Sequence, residues 1–125
     1  MNKSIHTDNA PAAIGPYSQA IQAGNTIYVS GQIPIDPVKG EFAGTDIQMQ
    51  TRQSLTNIKN ILAAAGANMS HVVKTTVLLA DIADFTAMNE VYAEFLTEPY
   101  PARAAFQAAA LPKGAKVEIE AIAVI

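Results

Sequence analysis

The 125-residue chain has no cysteine, no tryptophan and only two histidines, and 15% of its residues are charged, where about 25% is usual. Without thiols there are no disulfides, thiolate metal sites, redox relays or cysteine nucleophiles. His6 and His71 have no companions at ligand spacing, so no metal site is expected. Basic residues are in deficit, 8 Lys plus Arg against 11 Asp plus Glu for a net charge of −3, so no nucleic-acid partner is expected. No apolar run approaches the roughly 18 residues of a membrane span, and Met1 to Pro11 lacks a charged start followed by an apolar core. A cytoplasmic chain with no membrane partner is the expectation. Glycine-rich phosphate loops, Gly-x-Ser-x-Gly elbows and dinucleotide fingerprints are also missing.

What is present is apolar: half of the residues are hydrophobic. No internal repeat or linker divides the chain, so residues 1–125 are read as one domain, large enough to bury a core without metal or disulfide staples. So little charge on a small globule leaves apolar surface to be covered by other subunits, and a homo-oligomer is expected.

Tyr17 to Ala23 and Thr26 to Gln32 read as strands of a hairpin turned at Gly24-Asn25, with opposed positions summing to 49. That register puts Tyr17, Gln19, Ser30 and Gln32 on one polar face and Ala20, Ile27, Val29 and Ile33 on an apolar one. Thr45-x-x-Gln48 reads as a capping box for a helix ending at Gly66. In it Ile47, Thr51, Leu55, Ile58 and Leu62 face inward, and Gln50, Gln53, Asn57 and Asn60 face away. Val72 to Ala80 reads as a strand with Val73, Thr75, Val77 and Leu79 on one side. Asp81 is the expected cap of a second helix with Phe85, Met88, Tyr92, Phe95 and Leu96 buried and Asn89 at the margin. Arg103 to Ala109 and Lys116 to Ile125 complete an order β β α β α β β, the pattern of an α+β layer with one mixed sheet and two helices on one face.

A few side chains in this frame could carry chemistry. Arg103, beside Pro101-Ala102, offers a planar cationic fork that suits either a carboxylate ligand or a salt bridge. Glu118 and Glu120 project from one strand face about 6.8 Å apart, as a solvated pair or as groups that hold water and exchange protons. Tyr17 and Ser30 share the hairpin's polar face, and Gly31 permits close approach to the backbone. From the chemistry alone this is a small oligomer able to bind a carboxylate.

The segments Ala10-Pro-Ala-Ala-Ile-Gly-Pro-Tyr-Ser-Gln19, Ser30-Gly-Gln-Ile-Pro34, Val73-Lys-Thr-Thr-Val77, Asn89-Glu-Val-Tyr92, Pro101-Ala-Arg103 and Val117-Glu-Ile-Glu-Ala-Ile-Ala123 resemble the reactive intermediate (imine/enamine) deaminase family, RidA, nearly end to end. The resemblance implies a chorismate-mutase-like α+β subunit assembled as a homotrimer, with sites in the clefts between subunits. It implies cofactor-independent hydrolysis of 2-imino acids, in equilibrium with enamines such as 2-aminoacrylate, to 2-oxo acids and ammonia. Carried over, Arg103 and Glu118 are catalytic, holding the substrate carboxylate and activating water, and Tyr17, Ser30, Gly31, Asn89 and Ala105 line the pocket. Glu120 is not a catalytic position of the family. Where the family usually reads Arg-Ser-Cys-Val this chain has Arg103-Ala104-Ala105-Phe106, which leaves only backbone groups at the thiol position. The other reading of the same cleft is a metabolite-binding regulator that senses a 2-oxo or amino acid without turning it over.

Overall fold

In a computed structural model describing residues 1–125, the chain opens with β1 (Lys3–Ile5), β2 (Ala20–Ala23) and β3 (Thr26–Gln32). Gly24, at φ 61°, supplies the left-handed residue that turns the β2–β3 hairpin. Its register is the expected one, with Ala20 opposite Val29 and Ile21 opposite Tyr28. The strand starts three residues later than the alternation suggests. The Tyr17 N–H closes a tight turn onto the Gly15 carbonyl at 2.9 Å, so Tyr17 stands before the strand and not opposite Gln32. Gln19 is buried, a correction to its placement on a polar ligand-facing surface. Its side-chain oxygen accepts from the Thr7 N–H and its amide donates to the Thr7 and Pro11 carbonyls, which ties down a segment that has no sheet partner.

Ile35–Asp36 and Glu41–Phe42 form a small separate hairpin, β4 and β5, across Pro37 to Gly40. Helix α1 (Ile47–Ala64) follows, and its N-cap is Asp46, one residue beyond the expected Thr45. The Asp46 carboxylate accepts from the Met49 N–H at 2.8 Å. Leu55, Ile58, Ile61 and Leu62 are fully buried, and so are Gln50 and Asn57, which the helical period had turned outward. Loop backbone explains both. Asn57 donates to the Ile35 carbonyl at 3.0 Å, while Gln50 donates to Gly44 and accepts from the Lys116 N–H. Burying such groups unpaired would be costly.

The second half of the chain runs through β6 (Val72–Leu79), α2 (Phe85–Phe95), β7 (Ala102–Gln107) and β8 (Val117–Val124). Asp81 caps the short 3-10 turn Ile82–Asp84 that precedes α2, and not α2 itself. One mixed sheet results, in the order β1-β2-β3-β8-β6-β7, with β6 and β7 parallel and the remaining pairs antiparallel. Both helices pack on one face over Ile27, Val29, Val77, Leu79, Val117 and Ile119. A bulge between Val72 and Lys74 takes Val73 out of this face and leaves it exposed. No helix is long and apolar enough to cross a membrane.

A second bulge shapes the site. Val29 opposes Ala121 but Gln32 opposes Ile119, so one extra residue enters β3 at Ser30-Gly31. The alternation slips by one there, and Gln32 is buried on the core side instead of sharing the polar face. The sheet's second face bears no helix and carries Tyr28, Phe106, Glu120 and Val124, all exposed.

Candidate active site

The sequence-derived site residues fall into two groups. The first surrounds Glu118, on the helix-free face of β8. The bulge brings Gly31 against it so closely that a Cβ at position 31 would overlap the Glu118 carboxylate and stand 3.0 Å from its Cδ. Glycine is needed here for space, since its φ is not in the left-handed region. Glu118 and Gly31 border a groove of about 400 Å³ that Tyr17, Ile14 and Lys113 also line. The Glu118 carboxyl is half-buried, and its pKa is raised above the usual value, first by burial and then by the negative charge of Glu120. Ser30 adjoins this group on the bulge, with its hydroxyl turned to donate to the Ser18 carbonyl at 2.6 Å.

The second group surrounds Arg103, on the edge strand β7. Its Nη1 donates to the Asn89 side-chain oxygen at 2.6 Å. Its Cζ lies 4.7 Å from the centre of the Tyr92 ring and 5.4 Å from that of Phe85, within the range of cation–π attraction. The guanidinium is thus held by side chains of α2. Phe85 and Tyr92 read in the sequence as core residues only, yet with Asn89 between them they recur at steps of four and three, one stripe of α2 that also reaches the arginine. Ala105, two residues beyond Arg103, packs its methyl group on the core.

These groups lie on opposite faces of one sheet. Arg103 stands level with Thr75 and, through it, with Ala121. Glu118 is therefore two strands away, about 9.6 Å, and three residues along, about 10 Å, and projects from the other side. Within one chain they cannot meet on a small molecule.

Residues 7–125 match the family described as Endoribonuclease L-PSP. The chain belongs to that family. As an L-PSP chain it is 55% identical over 124 residues to the 2-iminobutanoate/2-iminopropanoate deaminase of Capra hircus, covering 99% of this chain and 90% of the relative. Among solved structures it is similar to RidA from the Antarctic bacterium Psychrobacter sp. PAMC 21119, at 52% identity and a TM-score of 0.94, over 98% of this chain and 99% of that one. It is also similar to E. coli TdcF with bound serine, at 48% identity and a TM-score of 0.93, over 98% of each chain. The chain has the chorismate-mutase-like α+β fold of L-PSP and RidA proteins, with two helices on a mixed sheet.

Proposed function

We propose that the chain is a hydrolytic 2-imino acid deaminase whose active centre forms between two copies, Arg103 from one and Glu118 from its neighbour. The observation that carries this reading is the opposite-face placement of two groups, each suited to half of one reaction. A guanidinium flanked by rings keeps donors for a carboxylate, and a half-buried carboxyl whose pKa is raised by burial is suited to take and return a proton. The name of the Capra hircus relative supports the substrate class, and the serine bound to TdcF, a molecule with an α-carboxylate, agrees with an anchor such as Arg103.

In this mechanism Arg103 grips the substrate carboxylate, and the C=N group lies beside Gly31, where the absence of a side chain gives room. The Glu118 carboxylate removes a proton from water as the water oxygen bonds to the imine carbon. Glu118 passes that proton to the nitrogen, giving the carbinolamine. It then takes the proton of the new hydroxyl and delivers it to the departing nitrogen as the C–N bond breaks and C=O forms, so that a 2-oxo acid and ammonia leave. Positioning plus one proton relay, worth about 10² to 10⁴-fold for the relay, is enough for imines that already hydrolyse in water. The net charge of −3 gives no support to RNA as a substrate, whatever the family's descriptive name.

The test supplies 2-aminoacrylate from serine with a dehydratase and follows pyruvate release. Arg103→Ala and Glu118→Gln are each expected to reduce turnover at least 100-fold, the scale of losing an anchor or a proton relay. Mixed after denaturation and refolding together, the two inactive variants regain activity. With random assortment, about one site in four combines an intact Arg103 with an intact Glu118 in a closed ring. No pyruvate above the uncatalysed rate from the wild-type protein, with the 2-oxo acid still bound, would favour a sensor over an enzyme. A mixture as dead as its parts would place both residues in one subunit's site or in none.

A further inference from the structure

We propose that Tyr92, locked by Thr75, is a positioning residue that holds the Arg103 guanidinium ready for its carboxylate; this rests on the role of Arg103 given above. An arginine on an edge strand has a long stem with about 2 kcal/mol of rotamer entropy, which ordering on ligand arrival would oppose. Here the ordering is built in beforehand. Asn89 takes one N–H of Nη1, the Tyr92 and Phe85 rings lie within 4.7 and 5.4 Å of Cζ, and the remaining donors stay available for a planar acid.

The ring is itself fixed. Tyr92 is 7% exposed and Thr75 1% exposed, and their hydroxyls are 2.7 Å apart with no other side-chain partner for either. Thr75 is also the residue of β6 in register with Arg103 on β7. The sheet ladder therefore joins Arg103 to Thr75, the hydroxyl pair joins Thr75 to Tyr92, and the ring closes the circuit back to Arg103. A core position needing only bulk would be served by phenylalanine; the hydroxyl is explained by the orientation it imposes on the ring.

The experiment measures Tm, the KM and kcat for imine hydrolysis, and the inhibition constant of a 2-oxo acid product as a probe of the carboxylate anchor. Tyr92→Leu is expected to raise KM and the 2-oxo acid constant together by about tenfold, with kcat held within about threefold. Tyr92→Phe and Thr75→Val are each expected to raise both by about threefold, and the double variant no more than either single one. In an Arg103→Ala background, Tyr92→Leu should weaken 2-oxo acid binding no further. Because the phenylalanine and valine variants keep the core filled, they preserve the test if the leucine variant does not fold. Folded variants with lowered Tm but unchanged KM and inhibition constant would overturn the proposal, as would an equal further weakening in the Arg103→Ala background. Failure of the wild-type protein to hydrolyse imines would refute the deaminase reading alone, since the inhibitor can still be titrated as a ligand.

Discussion

Glu118 is the residue whose environment most affects the chemistry. Its folded pKa lies above the ordinary glutamate value because burial and the charge of Glu120 both disfavour the carboxylate. In the proposed mechanism that carboxylate takes the proton of water, so the rate should fall as pH drops through a value higher than a free glutamate would give. Glu120→Gln removes the smaller of the two causes. The acid limb of its kcat–pH profile should move toward lower pH, by less than the full displacement, since burial remains; an unmoved limb would mean that another group titrates. The same sign governs stability: a raised carboxyl favours the fold while protonated, and that advantage is lost as pH rises through its folded pKa. Arg103 and Glu118 were legible in the sequence as types of chemistry, a cationic fork and an acid on an alternating strand. Their opposite faces were not, because β7 pairs in parallel with β6 and the face of Arg103 depends on the Thr75 register, a contact between residues 28 positions apart in the chain. The partners of Arg103 were hidden for a different reason: Phe85 and Tyr92 do serve the core, so a core reading accounts for their spacing completely.

Among the elements, α1 and β8 followed from periodicity almost as they stand, with Leu55, Ile58 and Leu62 inward and Val117, Ile119, Ala121 and Ala123 sharing the core face. The errors cluster where side chains serve irregular backbone. Gln19, Gln50 and Asn57 look like outward polar residues to any periodic rule, but each is buried beside a loop whose carbonyl or N–H groups have no ladder to join. The two bulges, at Val73 and at Ser30-Gly31, are equally invisible to alternation, since a single inserted residue inverts every face assignment after it. Asn57 gives a direct measure of this role. Asn57→Ala leaves the Ile35 carbonyl and the Gln53 amide without their partner. Stability should fall by about 1–3 kcal/mol, read as a lower midpoint in urea with an unchanged slope. A loss under about 0.5 kcal/mol would indicate that water replaces the amide.

For the whole molecule, the distribution of exposed apolar groups matters most. Tyr28, Phe106 and Val124 stand uncovered on the helix-free face, beside Glu120, where an assembly could bury them. If each site draws its cation and its acid from different subunits, a chain lacking both spoils two sites instead of one. Refolded at constant total protein with an increasing share of the doubly substituted Arg103→Ala, Glu118→Gln chain, the mixture should lose activity as the square of the wild-type fraction, falling to about one quarter at equal amounts. A straight line through one half would assign both residues to the same subunit.

Placing the acid and the cation on two sides of one sheet has a consequence for the newly made polypeptide. With a centre shared between copies, as proposed, a lone copy carries two unfinished halves that face away from each other, so it would leave the ribosome inert however well it folds, and competence would arrive only on encounter. Catalytic output then rises more steeply than synthesis at low abundance, and follows it in proportion once every copy has found its neighbours.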